Sequence, residues 1–65
     1  MSSKHLLACH CCGSHTLHEH GSYEICSVCG WEDDPAQSAD PDLRGGANKM
    51  TLHQARAAWR EKQAR

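Results

Sequence analysis

Phenylalanine is absent, and the only other large aromatic residues are Tyr23, Trp31 and Trp59. With hydrophobic residues at 38% of 65 positions, no sizeable apolar core is available to hold a domain together. Long hydrophobic runs are missing too, which excludes a membrane-crossing helix. The opening stretch from Met1 to Ala8 has one basic residue and lacks the ~7–15-residue apolar stretch of a secretory signal. The expectation is therefore a cytoplasmic chain whose thiols stay reduced, with no membrane partner. Strong basicity is also lacking: the net charge is −1, too low to announce a nucleic-acid binder.

What the chain does have is cysteine, five residues of it. Ordering a chain of this size costs on the order of 1.5 kcal/mol per residue, which so thin a core struggles to offset, so a covalent or metal staple is needed. An odd cysteine count cannot pair fully into disulfides within one chain, and a reducing compartment favours metal. The spacing agrees. Cys9-His10-Cys11-Cys12-Gly13 and Cys26-Ser27-Val28-Cys29-Gly30 both read C-x-x-C-G. Two intervening residues let a tight turn aim both sulfurs at one point. The following glycine can take positive φ without a Cβ clash. The metal ligands read from this register are Cys9, Cys12, Cys26 and Cys29. Cys11 aligns with Val28 and is spare, a small filler; its use in place of Cys12 would lose the two-residue turn.

Four thiolates close a tetrahedral site, leaving no position for an activated water, so the site is structural and one zinc per chain is expected. Tetrahedral sulfur also suits iron, and a rubredoxin-like electron-transfer centre is the alternative. Against iron stand the short separation of the knuckles and the missing aromatic core.

Around the knuckles the chain reads as a single domain, residues 1–65. A flexible lead-in covers 1–8. Knuckles and a β-hairpin occupy 9–31, with strands about Thr16–His20 and Tyr23–Ile25 joined at Gly21-Ser22. An acidic and glycine-rich loop follows at 32–50, and a helix at 51–63. Thr51 is the N-cap, and Gln54 completes a capping box. Leu52, Ala55, Ala58 and Trp59 share one helix face, which is expected to dock on the ribbon; both tryptophans are expected in the core. The fold class is thus a small metal-stabilised α+β zinc ribbon with a C-terminal helix.

Charge is segregated. Glu32, Asp33, Asp34, Asp40 and Asp42 have no base among them, whereas Arg44, Lys49, Arg56, Arg60, Lys62 and Arg65 are opposed only by Glu61. The acids read as a surface facing water, with pairing to the basic helix or a partner as alternatives, since the EF-hand spacing is absent. His15, His18 and His20 read as solvated hairpin residues, with a second metal site the weaker alternative.

The runs CHCCG, YEICSVCGWEDDP and DPDLRGGANKM, followed by a capped helix, closely resemble the bacterial cysteine-rich CPCC family. His10 stands where the family's name calls for proline. The resemblance implies a small bacterial zinc-binding protein and no particular activity. No catalytic constellation emerges from the residues, so a non-enzymatic module that binds another protein is expected; a nucleic-acid-binding ribbon is a further alternative.

Overall fold

The computed structural model describes residues 5–64. Two short strands, β1 (Leu7–Ala8) and β2 (His15–Leu17), pair antiparallel. They are followed by helix α1 (Pro35–Ala39) and helix α2 (Leu52–Gln63).

The hairpin exists, but not where the Gly21-Ser22 signal placed it. Each C-x-x-C-G turn reverses the chain itself, so the flanking residues pair across the knuckle. Ala8 faces His15 across the first knuckle, and Ile25 faces Glu32 at the equivalent positions of the second. The stretch Tyr23–Ile25 is thereby committed to Glu32 and Asp33: Tyr23 N–H donates to Asp33 O, and Asp33 N–H to Glu24 O. Tyr23 also adopts φ 61°, a left-handed backbone incompatible with a regular strand. Of the lead-in expected at 1–8, Leu7–Ala8 is strand, and residues 1–4 lie outside the described residues.

The 32–50 segment is not an irregular loop throughout. Asp34 caps α1 by accepting from Ala36 N–H at 2.8 Å and Gln37 N–H at 3.4 Å, with Pro35 at the first position, where its missing N–H costs nothing. Nor are all its acids surface charges. Asp33 is 1% and Asp34 4% exposed, because backbone N–H groups receive them: Gly21 N–H donates to Asp33, and Ala47 N–H to Asp34. The Ala47 N–H is the main cause that holds the Asp34 carboxyl below its ordinary range; burial opposes it, and the cap bonds assist. The acids that do form ion pairs meet histidines rather than the arginines of the helix. Among the described residues these pairs are His18–Glu24, His53–Asp42 and, at 4.0 Å, His10–Asp33.

Gln37, wholly buried, organises the rest of the segment. Its Nε2 donates to Leu43 O and Met50 O, both at 3.1 Å. Its Oε1 accepts from Asn48 N–H at 3.2 Å and Asn48 Nδ2 at 2.9 Å. Asn48 in turn imitates a strand partner, binding both N–H and C=O of Glu32. Gly46 passes so close that a Cβ would lie 2.6 Å from Asp34 Oδ2 and Gln37 Cδ. The WEDDPAQ and RGGANKM runs are thus two halves of one polar core.

Helix α2 starts as its sequence requires: Thr51 Oγ1 accepts from Gln54 N–H at 3.1 Å, and Gln54 Oε1 accepts from Thr51 N–H at 2.9 Å. Leu52 and Ala55 join Leu17, Trp31, Cys9 and Cys26 in the apolar core. That core stops at Ala55. Ala58 is exposed and Trp59 half-buried, so the docked face is shorter than the periodicity predicts and only Trp31 of the two tryptophans is a core residue. Leu52→Ala should therefore cost about 2–5 kcal/mol in thermal unfolding, whereas Arg60→Ala, at an exposed position, should stay within ~0.5 kcal/mol.

Candidate metal centre

Each knuckle is built by the same local bonds. Gly13 N–H donates to Cys9 O and Gly30 N–H to Cys26 O, both at 2.9 Å, with both glycines at φ 82°. Cys9 N–H then donates to Ser14 O and Cys26 N–H to Trp31 O, which closes each turn. The turn points the N–H two residues on at the first sulfur: Cys11 N–H reaches Cys9 Sγ and Val28 N–H reaches Cys26 Sγ, each at 3.4 Å.

The four sulfurs of Cys9, Cys12, Cys26 and Cys29 all lie within 4.8 Å of one another. Cys9 and Cys29 are 3.6 Å apart and Cys12 and Cys26 3.7 Å, with no disulfide. A tetrahedron with metal–sulfur bonds of ~2.3 Å has edges of about 3.8 Å, so the donor set fits a four-coordinate ion. Cys11 is not in this group and packs half-buried against the core.

Burial pushes the Cys9 and Cys29 thiols up to about 12. Burial raises Cys26 as well, but the Thr16 hydroxyl, 3.1 Å from its sulfur, and the Cys29 and Val28 N–H groups outweigh it and bring that thiol to about 6. Burial also raises Cys11, which suits a filler more than a nucleophile. An ion entering at neutral pH must displace protons from Cys9 and Cys29, so affinity falls as pH falls. Titration against a competing chelator should show weaker metal retention at pH 5.5 than at pH 8; equal retention would mean that thiols are not the donors.

Two contributors gave no sequence signal as such. Thr16 lies in β2, and its hydroxyl crosses to the second knuckle. Arg56 Nε donates to His10 O at 2.8 Å, which ties α2 to the first knuckle. The three hairpin histidines do not converge on a second site. His15 donates to Leu6 O, His20 to Ala8 O and His18 to Glu24; the cysteine cluster is the one metal-capable group among the described residues.

A small α+β chain with an antiparallel two-strand hairpin, a C-terminal helix and four clustered cysteines able to hold a metal ion is the class that fold and site define. The sequence profile of the cysteine-rich CPCC family matches residues 7–64, and the chain belongs to that family. No curated protein matches it significantly. No helix among the described residues is long and apolar enough to cross a membrane.

Proposed function

We propose that this protein is a zinc ribbon, with one structural zinc on Cys9, Cys12, Cys26 and Cys29, that works in the cytoplasm by binding another protein and is not an enzyme. The observation that carries the reading is the closed group of four sulfurs at tetrahedral spacing, which offers an ion no open position for water or substrate. Zinc is favoured over iron because Trp31 is the one buried large aromatic ring in the core with the sulfurs, whereas a rubredoxin-like centre would sit in an aromatic-rich core. A protein partner is favoured over nucleic acid by two features. Arg56 is engaged by the first knuckle, and apolar side chains flank the second: Tyr23 is 51%, Val28 48% and Ile25 63% exposed.

The test is elemental analysis of protein purified without added metal, followed by crosslinking in the native host. One zinc per colourless chain is expected, together with a crosslinked protein that Ile25→Asp and Val28→Asp abolish. A red iron-loaded protein would overturn the zinc reading. Retention on immobilised nucleic acid that weakens with salt, without any protein crosslink, would overturn the partner.

A further inference from the structure

Beside the knuckles, a groove of about 310 Å³ opens between α2 and the second knuckle. Its walls are apolar: Trp31 on the ribbon side, Trp59, Ala55 and Ala58 on the helix, and Met50 before it. Asn48 also reaches the groove, but its amide is spent on Glu32 and Gln37. The remaining polar lining residues are Lys49 and Lys62. Both lysines are exposed, and neither forms an ion pair with any described residue. No carboxylate lines the groove.

Such a site suits a ligand with a flat apolar body and an anionic end. The body would lie mainly against Trp59, Ala58 and Met50, since Trp31 is almost wholly buried. The anionic end would stay at the solvent-side rim, where the ammonium groups lie on flexible stems. A loaded four-thiolate centre carries about −2 of its own, behind Cys29. Its sulfurs are buried or half-buried and receive internal N–H and O–H donors, whereas the lysine heads face water. The exposed charged groups at the groove are therefore the two ammonium groups. The volume is at the small end of the ~300–1,000 Å³ of small-molecule pockets, which suits a compact ligand.

We propose that this groove binds a small amphipathic carboxylate, an aryl or branched-alkyl acid, with Trp59, Ala58 and Met50 holding the apolar part and Lys49 and Lys62 the carboxylate. The metal-loaded full-length chain is titrated with 2-naphthoate, with its neutral amide 2-naphthamide, and with an acidic tetrapeptide containing one tryptophan. Binding is followed by NMR at the two tryptophan indole N–H signals and at the Lys49 to Lys62 amides. Expected is saturable binding of naphthoate at least tenfold tighter than of naphthamide, weakened several-fold by Lys49→Gln and by Lys62→Gln. Ala58→Leu, which fills the groove from an exposed helix position, should abolish it while metal content and melting temperature stay unchanged. Equal binding of acid and amide, absence of saturation, binding of the peptide alone, or shifts that track protein concentration and so report a second copy of the chain would each overturn the proposal.

Discussion

Removing the metal is expected to abolish the fixed structure of residues 7–31 and to release α2. The apolar core contains Leu17, Trp31 and Leu52 as its only large buried hydrophobic side chains among the described residues; Ala55 is small, and the other two members, Cys9 and Cys26, belong to the four-sulfur group able to hold the ion. Burying three such side chains contributes roughly 5–9 kcal/mol. A structural zinc contributes on the order of 10–16 kcal/mol in finger-sized peptides. The metal therefore dominates, and its loss sets four sulfurs free while turning two core positions into isolated thiols. Chelation followed by size exclusion should leave a chain with collapsed amide dispersion and weak helix signal, restored by one equivalent of metal. A chelated protein with unchanged dispersion would mean that packing alone folds the chain.

The second large effect is expected at the polar core. Gln37→Leu has nearly the right volume but leaves Leu43 O, Met50 O and Asn48 N–H without their partner, and Asn48 Nδ2 with only Glu32 O of its two. Each buried polar group so stranded costs about 1–3 kcal/mol, and partial rescue by water still leaves a net loss of roughly 3 kcal/mol or more. At about 4–8 °C per kcal/mol in a domain of this size, the melting temperature should drop by well over ~10 °C. Gly46→Ala should act in the same direction by a different route. Its Cβ would need the space held by Asp34 Oδ2 and Gln37 Cδ, 2.6 Å away, and neither can retreat without breaking its own bonds. Neither residue bonds to a cysteine, so both variants should still bind one metal ion. Wild-type melting in Gln37→Leu would show that the 32–50 segment does not contribute to cooperative stability.

The parts of this molecule that were legible in sequence are those decided locally. Two C-x-x-C-G turns bring their own sulfurs together with bonds that span five residues, and the sulfurs of Cys9, Cys12, Cys26 and Cys29 lie in one group that Cys11 is outside. The Thr51–Gln54 cap is equally local. The hairpin was misplaced because Gly21-Ser22 is a generic turn signal, whereas the knuckles are stronger turns that commit their flanks first. The burial of Asp33 and Asp34 was hidden because the N–H groups that receive them come from Gly21 and Ala47, far along the chain. Helix α1 could have been read: Asp34-Pro35 is a cap followed by the residue that best tolerates the first helical position. Gln37 could not, since nothing near it in sequence shows that its amide meets residues 43, 48 and 50. Trp59 fell short of the core for a plain reason: periodicity assigns a face, but not how far the partner surface extends.

Native mass spectrometry of the freshly purified chain and its five single cysteine-to-serine variants bears most directly on the four-cysteine centre. The wild type and Cys11→Ser should each carry one metal ion, and Cys9→Ser, Cys12→Ser, Cys26→Ser and Cys29→Ser should each lose it or hold it far more weakly. Loss of the ion in Cys11→Ser with retention in Cys12→Ser, or a wild-type chain that carries no ion at all, would contradict that centre.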